Sequence, residues 1–217
     1  MHDTPIEICG SNIPSASVIW LHGLGADGND FVPVVEMLDL PDYRFILPHA
    51  PFLKVTLNGG YEMRAWYDLY GLGVTATQDE TGIRKTQAYI ENLIDVEIAR
   101  GIPTNKIILA GFSQGGAIVL QTGLRYRKKL AGIIALSTYL PLRPTLKTEK
   151  AEENQNTPIF MAHGTQDEVI EFPIAQASCN ALKDEGYTIE WHDFPIGHSV
   201  SIDEIDEIRT FLLKVII

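Results

Sequence analysis

One short stretch constrains this chain more than any other: Leu109-Ala110-Gly111-Phe112-Ser113-Gln114-Gly115-Gly116. A β-branched run precedes it at 106–109, and a helix-like run follows at 117–124. A Gly-x-Ser-x-Gly turn between a strand and a helix is so tight that bulky neighbours would strike the backbone. Gly111 and Gly115 leave that room, and Gly116 lets the helix start close to the sheet. Such a turn holds its serine at the tip in a strained conformation with the hydroxyl outward. The amides that follow sit at a helix N-terminus, where they stabilise an anion. The pentapeptide alone also fits a phosphate-binding turn or a plain reversal of the chain. A catalytic reading requires a base, an acid and a second anion-stabilising donor elsewhere.

The surrounding pattern supplies the scaffold. Short apolar runs at 17–21, 44–47, 106–109, 132–136 and 158–162 read as buried strands, and 187–194 as a last strand with partial alternation. Helical spacing recurs through Phe31, Val34, Val35 and Leu38, and over 79–100, 117–125, 172–185 and 202–215. Residues 137–156 read as a polar loop. Alternating strands and helices predict an α/β fold, a mostly parallel sheet with helices on both faces, as one domain over 1–217. Function in such sheets gathers at the carboxyl ends of strands. Four polar loops fall there, after Leu21, Leu109, Ala162 and Phe194. Residues 48–73 are rich in glycine and proline yet strongly apolar. A long loop of that kind either folds into the core or forms a wall for an apolar substrate.

A serine hydroxyl needs a base to remove its proton, and histidine has the right pKa. Of six histidines, His2 is terminal and His192 lies within a strand, while His22, His163 and His198 lie at strand ends. In the α/β-hydrolase arrangement the order is serine, acid, histidine. Only His198 comes after the last strand, in a Gly-His-Ser loop, and it is the only histidine that fits this order with an acid before it. Asp167 fits the acid best, with its neighbour Glu168 as the alternative. Two backbone N–H groups would hold the oxyanion: that of Gln114, directly after the serine, and that of Leu24 in His22-Gly23-Leu24-Gly25. His22 then reads as a brace for its own loop. His22, His163, Asp167 and His198 lack the spacing of a metal site, so no metal and no cofactor is expected.

Composition narrows the partners. The formal charge of −11, from 17 basic and 28 acidic residues, argues against nucleic acid and against an anionic membrane surface. Two cysteines, Cys9 and Cys179, make no disulfide framework. The first residues lack the pattern of a signal peptide, and no apolar run approaches a membrane span. A cytoplasmic protein is expected.

The motifs together carry a family resemblance. Leu21-His22-Gly23-Leu24-Gly25-Ala26-Asp27-Gly28, Gly111-Phe112-Ser113-Gln114-Gly115-Gly116, His163-Gly164-x-x-Asp167 and Gly197-His198-Ser199 occur in that order. With Ala65-Trp66-Tyr67-Asp68 and Leu136-Ser137-Thr138-Tyr139-Leu140-Pro141, they resemble the acyl-protein thioesterase/lysophospholipase family of small α/β-hydrolases. The last motif looks closest to bacterial carboxylesterases. The resemblance implies Ser113 as nucleophile, His198 as base and Asp167 as acid, with the Leu24 and Gln114 amides as oxyanion donors. It implies hydrolysis of carboxylic esters or of lipid and protein thioesters. It also implies that the 55–66 region, with Leu53, Val55 and Trp66 as substrate-binding residues, borders the acyl site. The expected partner is a small-molecule or lipid ester or thioester, with acylated protein and a homodimer as wider options. Membrane contact is expected to be transient at most, and no nucleic acid partner is expected. A non-catalytic lipid-binding module on the same fold is the alternative of another class.

Overall fold

The computed structural model describes residues 3–71 and 76–216; His2 and the end of the 48–73 segment lie outside the described residues. Seven strands form the main sheet: β1 (Ile6–Cys9), β2 (Ala16–Leu21), β3 (Tyr43–Leu47), β6 (Ile107–Phe112), β7 (Gly132–Leu136), β8 (Ile159–Gly164) and β9 (Ile189–Phe194). Between β3 and β6 in sequence, β4 (Phe52–Val55) and β5 (Tyr61–Arg64) pair antiparallel as a separate hairpin. The sheet order is β1-β3-β2-β6-β7-β8-β9. Only β1 runs antiparallel, against β3. The rest is parallel, as expected where helices cross between strands.

Successive residues of the central strands feed opposite faces. Ile19 and Leu21 of β2, with Ile107 and Leu109 of β6, join one core cluster; Val18 and Trp20, with Ile108 and Ala110, join the other. α2 (Glu80–Ala99), α3 (Gln114–Arg125), α4 (Arg143–Glu149) and α5 (Phe172–Asp184) cover the first face through residues such as Ile83, Ile90, Ile118, Leu146 and Leu182. α1 (Val32–Leu38) and α6 (Ile202–Val215) cover the second through Val35, Leu38, Ile208 and Phe211. Both faces of every central strand are therefore dry, which is why those strands lack polar alternation.

Three readings change. The loop expected over 137–156 contains α4, whose Pro144 sits in the first turn where its missing N–H costs nothing. β8 extends to Gly164, so His163 lies in the strand and is buried. The 48–73 segment is neither wholly core nor wholly wall. Val55, Trp66 and Tyr67 are buried, whereas Phe52, Leu57 and Tyr61 remain 59%, 42% and 69% exposed.

Candidate active site

β6 ends at Phe112 and α3 begins at Gln114, leaving Ser113 alone to turn the chain. Its backbone has φ 55° and ψ −120°, in the region that L residues avoid. The crowding explains the flanking glycines. A Cβ on Gly111 would meet the Gly115 carbonyl at 2.5 Å, and one on Gly115 would meet Leu21 O at 2.5 Å and His22 O at 2.6 Å. The Ser113 amide donates to Leu136 O at 2.8 Å, and Thr138 Oγ1 donates to Ser113 O at 2.7 Å. The end of β7 thus holds the serine on both sides of its Cα.

Ser113 Oγ lies 2.9 Å from His198 Nε2, and His198 Nδ1 lies 2.7 Å from Asp167 Oδ2. The other carboxylate oxygen, Oδ1, accepts from the amides of Val169 at 2.8 Å and Ile170 at 2.9 Å. Those bonds lock the carboxylate orientation. Asp167 is 6% exposed, so its hydrogen bonds face little competition from water. His163 Nε2 sits 2.8 Å from Ile170 O and 3.3 Å from Asp167 Oδ2. Burial pushes the His163 pKa down, keeping this second imidazole neutral beside the pair. The Phe112 ring packs against His198 with centroids 4.7 Å apart.

Gln114 is the first residue of α3, so its amide has no intrahelical acceptor. Leu24 shares a cavity of about 330 Å³ with Ser113, Gln114 and His198. The neighbouring Gly25 amide is taken by Arg64 O at 2.8 Å, tying the loop to β5. His22 braces this loop. Its Nε2 accepts from the Ala50 amide at 3.0 Å, which leaves Nδ1 as the donor to Gly23 O at 2.7 Å. Burial pushes the His22 pKa down to about 4, so the ring is neutral near pH 7.

The residues expected to contact substrate from the 48–73 segment are placed elsewhere. Val55 is fully buried, and Leu53 packs on the same core cluster. Trp66 is spent on structure: its Nε1–H donates to His22 O at 2.8 Å, and its amide to Gln114 Oε1 at 2.8 Å. Leu53, Val55 and Trp66 do not line the cavity; Leu57, Tyr67 and Leu69 from that segment do. Tyr139, Val169 and Ile170 complete the apolar wall. They escape sequence reasoning because ordinary core types carry no chemical signal. Their positions directly after β7 and directly after Asp167 are the signal that was available.

A mostly parallel sheet with helices on both faces, and a serine on a strained strand–helix turn, define an α/β-hydrolase. The family model described as phospholipase/carboxylesterase matches residues 3–216, and the chain belongs to that family. Membership makes it a serine hydrolase of ester bonds. Acyl-protein thioesterase 1 of Neurospora crassa is 43% identical over 214 residues, 92% of this chain and 86% of that protein. The solved structure of Arabidopsis thaliana SOBER1 gives a TM-score of 0.89 at 33% identity, covering 93% of this chain and 99% of that one. Zea mays acyl-protein thioesterase 2 also gives 0.89, at 29% identity over 98% of each chain. No helix among the described residues is long and apolar enough to cross a membrane.

Proposed function

We propose that Ser113, His198 and Asp167 are the catalytic triad of an acyl hydrolase that cleaves thioesters and esters of apolar acyl groups, including acylated protein. The unbroken run of hydrogen bonds from Asp167 through His198 to Ser113, at 2.7 and 2.9 Å, carries the reading. Ser113 Oγ attacks the acyl carbonyl while His198 Nε2 takes its proton. Asp167 holds the ring in the tautomer that leaves Nε2 free and stabilises the imidazolium. The developing oxyanion is met by the Leu24 and Gln114 amides. His198 then protonates the departing thiolate or alkoxide. In the second half it activates water, which attacks the acyl-enzyme and frees the acid.

The apolar wall of Leu57, Leu69, Val169 and Ile170 suits a fatty acyl chain, and the names of the thioesterase relatives point to a protein-bound one. The exposed hairpin side chains Phe52, Leu57 and Tyr61 suit brief contact with a lipid surface while an acyl group is drawn in. Two unpaired cysteines agree with a reducing, cytoplasmic setting. We take the whole chain as one catalytic domain, since each central strand contributes to both core clusters.

Ser113→Ala is expected to abolish fluorophosphonate labelling and to lower kcat by roughly 10⁴–10⁶. Ester hydrolysis undiminished in the purified variant would overturn the assignment. A panel of thioesters and oxyesters with matched acyl chains then decides the leaving group. A preference for charged acids over aliphatic ones would reject the apolar acyl site.

A further inference from the structure

A second cavity, of about 400 Å³, lies between α4, α5 and the chain around Tyr70. It shares Tyr67, Leu69, Tyr139, Val169 and Ile170 with the cavity at Ser113, so these five residues make up the common lining, or neck, of the two. Three of the five are plain aliphatic side chains. The other two bring hydroxyl groups together: Tyr67 Oη and Tyr139 Oη are 2.6 Å apart.

Two phenols hold two protons, and the bond between them uses one. Among the described residues neither hydroxyl has a further partner. One O–H donor is therefore left over inside an apolar neck. Both rings line the two cavities, but Tyr67 is 1% exposed whereas Tyr139 is half-buried. With Tyr67 donating to Tyr139, the spare proton belongs to Tyr139 and points where a ligand passes. A plain alkyl chain in the neck would cover that donor without satisfying it, and an unpaired buried donor is costly. A site built to hydrogen-bond a substrate oxygen discriminates against the analogue that lacks it.

We propose that Tyr139, oriented by Tyr67, reads an oxygen atom within the acyl chain. The enzyme then favours acyl groups with a hydroxyl, ether or keto oxygen at one position along the chain over plain alkyl chains of equal length. The proposal rests on the reading of Ser113 as the acylated residue, since Tyr139 lines the same cavity as Ser113 and so meets an acyl chain held there. It adds no new chemical step.

The test is an oxygen scan. A series of 4-nitrophenyl esters of one chain length carries a single ether oxygen in place of successive methylenes. With the native chain, one position is expected to raise kcat/KM about threefold to tenfold over the plain ester, the worth of one neutral hydrogen bond. In Tyr139→Phe the ratio at that position falls to one or below. A flat scan with the native chain overturns the proposal, and so does a Tyr139→Phe variant that keeps the preference. If that variant fails to fold, the native scan decides alone. Fluorophosphonate labelling of Ser113 is followed in parallel. Labelling with a flat scan rejects the oxygen reader only; absence of labelling rejects the serine reading beneath it.

Discussion

Ser113 keeps its φ of 55° because everything around it is already fixed. Its amide is bonded to the last residue of β7 and its carbonyl to Thr138 just beyond, and Gly115 lies against the carbonyls of Leu21 and His22. Strain of this kind persists only where the surroundings over-determine it. Gly115→Ala would place a methyl group 2.5 Å from Leu21 O and 2.6 Å from His22 O, both rigid backbone. The elbow must then move away from the Leu24 loop. The expected result is a loss of roughly 1–3 kcal/mol in stability together with most of the activity; a native urea midpoint with native kcat would refute it. Asp167→Asn probes the other end of the proposed triad. An amide in place of the carboxylate favours the wrong imidazole tautomer and cannot stabilise its cation, so kcat is expected to fall by roughly 10⁴. A fall of less than tenfold would show that Asp167 is not the orienting acid.

At the scale of elements, the Gln114 side chain fastens the segment after β5 to the start of α3. Its Oε1 accepts from the Trp66 amide and its Nε2 donates to Tyr67 O, each at 2.8 Å, in a buried setting. Gln114→Ala leaves its own backbone amide in place but strands two buried backbone groups. A loss of roughly 1–3 kcal/mol for each stranded group is expected, checked by urea denaturation, and an unchanged midpoint would sink the idea. This brace shows why Trp66 misleads from sequence: a large apolar residue near the site was placed at the substrate, yet its two N–H groups tie the backbone together. The elements that are legible share one property, a pattern set by burial on both faces or on one stripe. β2, β6, β7 and β8 read as unbroken apolar runs, and α6 as an amphipathic stripe. β1 does not, because four residues at a sheet edge leave only a short alternation of half-buried and exposed side chains. α4 does not, because seven residues with few apolar ones give no period to see. That Ser113, Asp167 and His198 come together is legible because the proposed chemistry limits the choice of residue and the fold limits the loop. The cavity wall is not, because any apolar residue serves and tertiary packing decides which one faces inward.

Over the whole molecule, two buried titratable groups pull the pH dependence of stability in opposite directions. His22, at the end of β2 against Trp66, ordinarily titrates at 6.5, and burial pushes it down to about 4. Between those values the unfolded chain binds the extra proton, so stability rises with pH. Glu204, in the first turn of α6, ordinarily titrates at 4.5; burial pushes it up to about 7, partly offset by the Ser201 amide. Between those values the folded chain holds the extra proton, so stability falls as pH rises. Each single-proton slope is about 1.4 kcal/mol per pH unit. The two windows overlap from 4.5 to 6.5, where these two slopes cancel; the lowered His163 pKa adds a further rise with pH in the native chain. Glu204→Gln removes only the falling slope, because glutamine is neutral throughout and its backbone amide keeps the bond to Ser201 Oγ. The variant should therefore gain roughly 2–3 kcal/mol between the acid and neutral ends of that window, read from urea midpoints at intervals of half a pH unit. Parallel profiles for native chain and variant would mean that Glu204 is ionised in the folded state throughout.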